Sequence, residues 1–182
     1  MDTGETVAIK VVEKTRVSRF RTAKRLHNEL RLTALVSSPN VARLLEAVQT
    51  PERLYLVLEH GGQDLFAYLS KGKGPPAAAG GDVDVRLDEE AARPLIAQIV
   101  AGVRALAAAG VVHFDIKTEN ILVELGADGE PYRLRLTDLG LAERYQPGER
   151  ASVLCGSPGF FAPEMATAPH YDPFKVDQRG AV

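Results

Sequence analysis

The stretch "GVVHFDIKTENILVEL" (110–125) places a polar cluster between two apolar runs. The apolar runs predict two strands, and the residues between them predict a loop. Asp115, Lys117 and Asn120 lie on this loop and offer a carboxylate, a cation and a carboxamide oxygen. Phosphoryl transfer from a nucleotide needs such groups, because the attacking hydroxyl needs a base, metal ions need oxygen ligands, and the transition state needs fixed positive charge. Asp138, at the end of the next predicted strand, offers a second carboxylate for a metal ion.

The composition predicts an ordinary soluble globular protein. Of the 182 residues 45% are apolar, and the net charge of −2 predicts no broad attraction to nucleic acid or anionic membranes. Cys155 is the only cysteine, which excludes a disulfide framework and a thiolate zinc cluster. The apolar run 95–112 is interrupted by Gln98 and Arg104 and predicts a core helix rather than a membrane span. No secretory signal is visible, so we expect a reducing cytoplasmic location, with the nucleus as an open alternative. We also expect a monomer.

The first third of the chain is predicted to form strands and one helix. β-Branched residues predict a strand over 5–14, and leucines near helical spacing predict a basic helix over 15–36. Two more strands are predicted over 40–50 and 53–60, joined by a turn at Pro51.

The remainder reads as mostly helical. Residues 71–82, rich in Gly, Pro and Ala, predict a flexible insertion. A long helix is expected from Asp88 as its N-cap to Gly110 as its stop, with a kink at Pro94 because proline removes a backbone hydrogen bond. Alternation over 132–140 predicts a half-buried strand.

Six segments together resemble the protein kinase family. They are "VAIK" (7–10), Glu29 in "HNELRL", the hinge-like "LYLVLEHGG" (54–62), "HFDIKTEN" (113–120), "DLG" (138–140) and "GSPGFFAPE" (156–164). "VAIK" and "DLG" are weak signals alone. The catalytic-loop motif followed 23 residues later by D-x-G, and 26 residues beyond that by the Glu of A-P-E, makes coincidence negligible. The resemblance runs from about residue 5 to residue 177.

The resemblance implies an α+β, two-lobed kinase-like fold. It would be incomplete, with a small β-rich lobe carrying one helix in 1–59 and a partial helical lobe in 60–182. The family's glycine-rich G-x-G-x-x-G is not present before "VAIK", and the D-x-W-S-x-G region breaks off after Asp177. We therefore expect a fragment that is inactive alone.

The resemblance also implies a site for ATP and Mg²⁺. Lys10 paired with Glu29 would hold the α and β phosphates, Asn120 and Asp138 would bind Mg²⁺, Asp115 would be the base, and Lys117 would neutralise the γ-phosphate. The nucleotide pocket would further include Ala8, Leu58 as gatekeeper, Glu59, Gly61 and Leu122.

The implied substrate is a serine or threonine of a protein, because Lys117 has the serine/threonine form of the loop. Glu119 and Asp64 match positions where the family places acids that meet basic peptide residues, although both also read as ordinary solvated carboxylates. Ser157 matches a residue that hydrogen-bonds Asp115 and Lys117, with a plain turn residue as the alternative.

Phe114 departs from the family, which often has a phosphate-binding Arg there. Val153 aligns with the phosphorylated Thr, so cation and phosphate acceptor are missing together. We predict a non-RD site, one without an arginine before the catalytic Asp115, that is not gated by phosphate at position 153. Phosphorylation of the neighbouring Ser152 is the less favoured alternative. Phe114 also reads as a core aromatic that fills the arginine's space.

Two further departures concern packing and charge. Thr33, one turn after Glu29, fills less space than the family's large apolar residue, which predicts a looser helix. Glu164 lacks the Arg that it normally meets, so we expect it to turn toward solvent, because burying an unpaired carboxylate is costly.

Two other functions stay open. A kinase-like binding or scaffold module that has lost catalysis fits Phe114, Thr33 and the missing glycine-rich loop, but not the retained metal ligands and catalytic Asp. A small-molecule phosphotransferase fits less well, because 156–164 resembles a peptide-docking segment.

Overall fold

A computed structural model describes residues 4–17, 20–71 and 89–180. The predicted N-cap Asp88 and nearly all of the predicted insertion 71–82 lie outside the described residues. The chain is a mixed α and β protein with a small sheet followed by helices and short strands, as the resemblance implies.

The first sheet has three antiparallel strands. They are β1 (Val7–Glu13), β2 (Leu44–Gln49) and β3 (Arg53–Glu59), in the order β1-β3-β2. The turn predicted at Pro51 joins β2 to β3, with the Thr50 N–H donating to the Arg53 carbonyl at 2.8 Å. Leu56 is the single buried residue of these strands, so the sheet is covered only lightly within the described residues.

Helix α1 (Phe20–Leu35) follows β1 after a 3₁₀ turn, Lys14–Val17. Its buried residues are Glu29, Leu32 and Thr33. Leu32 is fully buried in the main core, which fixes the C-terminal half of α1.

The second half of the chain contains α2 (Leu65–Lys71) and the long α3 (Glu89–Ala108). α3 continues through Pro94 and ends near Gly110, which has φ 71° and donates its N–H to the Ala107 carbonyl. Among the described helices, α3 alone is long and apolar enough to cross a membrane by length and composition. In this structure its apolar stripe faces the core, and the buried members are Leu95, Ile99, Val103 and Leu106.

Short strands flank the polar loop, as predicted. β4 (Gln63–Asp64), β6 (Ile121–Leu125) and β7 (Pro131–Leu136) form one antiparallel sheet, and β5 (Val111–Val112) pairs with β8 (Glu143–Arg144). Two more helices follow, α4 (Pro163–Thr167) and α5 (Pro173–Gly180). β7 was expected to be half-buried, but its last three residues are all buried because the strand lies between α3 and the hinge.

The segment before β2 connects the first sheet to β7. Val41 forms a parallel bridge with Leu136, and the Asn40 carbonyl accepts the Leu136 N–H at 2.9 Å. Gly102 of α3 lies directly behind this segment, where a Cβ atom would stand 2.7 Å from the Asn40 carbonyl oxygen. Only glycine lets α3 approach so closely.

Candidate active site

The first sheet and α1 bring Lys10 and Glu29 together. The Lys10 ammonium donates to Glu29 Oε1 at 2.5 Å and lies 3.5 Å from Asp138 Oδ1. Burial alone would lower the pKa of Lys10, but the hydrogen bond and charge of Glu29, with a contribution from Asp138, raise it above its usual value. Burial raises the pKa of Glu29, and the Lys10 ammonium offsets only part of that rise. The lysine is therefore fixed and positively charged.

Four of the five other residues predicted for the nucleotide pocket meet in two pairs, and the fifth is Glu59. Ala8 stands directly opposite Leu58 in the β1–β3 register. Gly61 packs on Leu122, whose Cδ1 would lie 2.7 Å from a Cβ atom at position 61. Glu59 is the last residue of β3 and begins the connection to the second half of the chain. Their contact with a nucleotide stays a prediction.

Arg135 of β7 links the residues that follow β3 to the sheet formed by β4, β6 and β7. The sequence did not indicate a functional role for Arg135. Its buried guanidinium lies 2.9 Å from Glu124 Oε2 and 3.4 Å from Glu59 Oε1, and it also reaches the His60 carbonyl. The only signal in the sequence was the alternation of arginine and leucine in β7, which predicts a strand but not a partner. Arg135 orients the backbone on which Glu59 and Gly61 lie.

The polar loop gathers the predicted catalytic side chains. The Asn120 amide donates to the Asp115 carbonyl at 2.8 Å and to Asp115 Oδ2 at 3.1 Å. Lys117 lies 3.9 Å from Asp115 Oδ2 and donates to Ser157 Oγ at 2.9 Å. Asp115 Oδ1 is buried and has no hydrogen-bond partner among the described residues. A buried carboxylate oxygen of this kind is ready to accept a substrate hydroxyl.

Asp177 fixes the backbone of the loop from below. Its carboxylate accepts the N–H of His113 at 2.5 Å and the N–H of Phe114 at 2.9 Å. Burial raises the pKa of Asp177, and the two backbone N–H groups offset part of that rise. Phe114 has φ 66°, a left-handed conformation that costs a residue with a side chain about 1–2 kcal/mol. The two hydrogen bonds hold the loop in this strained conformation.

His113 lies between the loop and the 3₁₀ turn Leu139–Leu141, which begins at Asp138 and is the candidate metal-binding turn. Its ring is fully buried, with Nδ1 accepting the Asp115 N–H at 3.3 Å and Nε2 lying 3.0 Å from the Thr137 carbonyl. These partners assign the proton to Nε2, so the ring connects the candidate base to the residue before Asp138.

Phe114 lies in an apolar cluster rather than near a charge. Its ring is 4% exposed and meets Tyr145 edge-on, with ring centroids 5.9 Å apart. The remaining buried members of the cluster are Val112, Ala151, Ala162, Met165, Tyr171 and Val176. The core-aromatic interpretation of Phe114 therefore agrees with the structure.

The residues predicted to hold Mg²⁺ have suitable chemistry. Asp138 has φ 61°, its carboxylate is half exposed, and Oδ1 accepts the Gly140 N–H at 3.3 Å. Because Asn120 uses its NH₂ group on Asp115, its carbonyl oxygen remains for another partner. The described residues contain no group of three or more His, Cys, Asp or Glu that could hold a metal. One carboxylate and one amide oxygen suit Mg²⁺ that is also bound by nucleotide phosphates.

Two acids differ from the expectations of the sequence. Glu164 was expected to turn toward solvent, but it stays mostly buried and lies 3.1 Å from Nη1 of Arg179. The contact has ion-pair distance without hydrogen-bond geometry, since no N–H points at Oε2 of Glu164. The prediction was wrong because α5 supplies a cation. Asp64 accepts the Ala67 N–H at 2.7 Å, so it caps α2 and is not simply solvated.

Comparison with known proteins identifies the family. The protein kinase domain model matches residues 1–178. Over 176 residues, 96% of this chain, it is 37% identical to the SNF-related serine/threonine-protein kinase of Homo sapiens, of which it covers 21%. Over 181 residues it is 34% identical to CBL-interacting protein kinase 19 of Oryza sativa subsp. japonica and 32% to CBL-interacting serine/threonine-protein kinase 15 of Arabidopsis thaliana, of which it covers 32% and 39%.

The chain belongs to the protein kinase family, and these relatives are named as kinases. It spans about a fifth to two fifths of the length of these relatives. The resemblance inferred from the sequence motifs is thereby confirmed.

Proposed function

We propose that this chain is the phosphoryl-transferring part of an ATP-dependent serine/threonine protein kinase. The observation that carries the proposal is the free, buried Oδ1 of Asp115, beside a carboxamide and a lysine that hold the rest of the carboxylate. A protein hydroxyl placed at Oδ1 is oriented and loses its proton to Asp115 as it attacks phosphorus. ATP supplies the phosphoryl group: the bond from its γ-phosphorus to the β,γ-bridging oxygen breaks, and ADP leaves with the electron pair. Bound Mg²⁺ would supply the metal charge that stabilises this leaving group.

The cations of the site have separate roles. Lys117 is positioned by Ser157 and neutralises charge on the transferred group. Lys10, held by Glu29, fixes the α and β phosphates, while Asn120 and Asp138 hold Mg²⁺. Ala8, Leu58, Glu59, Gly61 and Leu122 enclose the adenine. Each assignment rests on the kinase family and on the pairing of these residues in the fold.

The substrate is a protein serine or threonine, with a basic sequence context supported by the half-exposed Glu119. We place the protein in the cytoplasm, and propose the lobes as 1–59 and 60–182. Low activity of the 182 residues alone belongs to the proposal, since they contain no G-x-G-x-x-G. A non-catalytic scaffold is the second candidate, favoured by the apolar Phe114 at a position that is a cation in many kinases.

The test is Asp115→Asn in the full-length protein, with Glu52→Gln as an exposed control. We expect phosphate transfer from labelled ATP to a serine/threonine peptide library to fall by about 10²–10⁴-fold, since the base is lost. Folding should change little. Equal transfer by Asp115→Asn and the control would overturn the proposal, and an inactive parent that binds ATP and partners would favour the scaffold.

A further inference from the structure

A charged cavity lies between α1 and the segment that follows the metal-binding turn. Its volume is about 410 Å³, and Arg21, Lys24 and Arg25 of α1 line one side. Glu143 of β8 and the residues 153–156 line the other. Three cations on one wall thus face one carboxylate on the opposite wall.

Two contacts attach α1 to this wall. Lys24 Nζ lies 2.5 Å from Glu143 Oε1, and the Asn28 amide donates to the Ala142 carbonyl at 2.9 Å. Lys24, Asn28 and Leu32 are spaced by four residues, so they lie along one face of the helix. Leu32 anchors that face in the core, and the two polar contacts fix its N-terminal half.

The wall is continuous with the metal-binding turn. Asp138 begins a 3₁₀ turn, and the Ala142 N–H donates to the Leu139 carbonyl at 3.1 Å, directly before Glu143. On a neighbouring face of α1, Glu29 meets Lys10. The Lys24–Glu143 pair therefore acts on the helix that delivers Glu29, and on the turn that presents Asp138.

We propose that Glu143 is a positioning residue, a fixed carboxylate that holds α1 where Glu29 reaches Lys10 without any phosphate. The inference rests on the proposed kinase function. It gives a physical basis for the lack of phosphate gating predicted from Phe114 and Val153, because the anion that α1 needs is part of the chain. Since the side chains are 52% and 33% exposed, the effect of the pair is moderate and weakened by salt.

The experiment is a charge swap in the full-length protein. Glu143→Lys places a cation against Lys24, Arg21 and Arg25, Lys24→Glu places a carboxylate against Glu143, and the double variant restores opposite charges. Glu46→Lys, on exposed β2, is the matched control for the same charge change. The readouts are kcat, the KM for peptide, thermal unfolding, and hydrogen exchange of residues 20–35, all on protein treated with phosphatase.

For Glu143→Lys we expect kcat to fall about ten-fold and exchange in α1 to accelerate, with peptide KM unchanged and only a small drop in the thermal midpoint. The double variant should recover kcat to within about three-fold, because Arg21 and Arg25 still face the new lysine. Unchanged α1 exchange in Glu143→Lys, or no recovery in the double variant, would overturn the proposal. If the parent transfers no phosphate, the kinase function fails, and α1 exchange still decides the role of Glu143.

Discussion

The polar loop and the Lys10–Glu29 pair belong to the same site but are stabilised in opposite ways. The loop is fixed by buried hydrogen bonds that the backbone N–H groups of His113 and Phe114 donate to the Asp177 carboxylate, and by the packing of Phe114. The pair joins a lightly covered strand to a helix whose N-terminal half is attached by side chains that are partly exposed.

This contrast shows which part of the site can respond to its surroundings. Buried hydrogen bonds to backbone groups are costly to leave unmade, whereas ion pairs with at least one half-exposed partner contribute less to stability and are more easily screened by salt. The position of the base is thus set by folding itself. The position of Lys10, the proposed phosphate-binding lysine, and of Glu29 depends on how α1 lies.

The largest effect on stability is expected for Phe114→Ala. The free energy of unfolding should fall by about 3–5 kcal/mol, because a buried ring is replaced by a cavity. Urea unfolding measures the change, and Phe160→Ala, at a ring that is 51% exposed, is the control. A loss equal to that of the control would mean that the apolar cluster does not stabilise the loop.

Asp177→Asn should follow. Asparagine offers one oxygen to two buried N–H groups, so about 1–3 kcal/mol of stability should be lost, and phosphate transfer should fall with it. Asp128→Asn, in an exposed turn, keeps an oxygen for the Glu130 N–H and should change stability by less than about 0.5 kcal/mol. Full activity in Asp177→Asn would show that the loop does not need both bonds.

Glu29→Gln should separate activity from stability. Glu29 is buried, but glutamine keeps a hydrogen-bond acceptor for Lys10, whose side chain is 42% exposed, so only about 1 kcal/mol of stability should be lost. Phosphate transfer should nevertheless fall at least about ten-fold, because a misplaced lysine no longer fixes the phosphates. Steady-state kinetics beside thermal unfolding measures both, with Glu46→Gln as control. A large loss of stability would contradict the contrast, because it would show that the Lys10–Glu29 pair contributes to folding stability as strongly as the polar loop does.

The smallest effect concerns Cys155, beside the α1 cavity. Burial, with the charges of Glu143 and other acids, raises its pKa to about 11 from 9.0. At pH 8 the thiolate should then be about 100-fold scarcer than in an unfolded chain, and alkylation by iodoacetamide should be correspondingly slow. The rate should rise through pH 11. Because the native pKa is raised, this thiol favours the native state below pH 9 and loses that contribution as the pH approaches 11. Fast alkylation at pH 8 would contradict the burial.

Motif residues could be predicted from the sequence, while their supporting partners mostly could not. "VAIK" with Glu29, and "HFDIKTEN" with Asp138, indicated the residues that the fold brings together. The pairs Lys24–Glu143 and Arg135–Glu59 join residues 119 and 76 positions apart, and no local pattern marks such partners. Glu164 was misjudged for the same reason, since Arg179 stands on a different helix.

The spacing of the site depends on the absence of a Cβ atom at Gly102. A methyl group there would stand 2.7 Å from the Asn40 carbonyl, which accepts the N–H of Leu136 two residues before Asp138. Any larger residue would push α3 and this segment apart, and the displacement would reach the metal-binding turn through β7. A substitution far from the proposed phosphate and metal sites could therefore alter the proposed metal site by changing a distance rather than a charge.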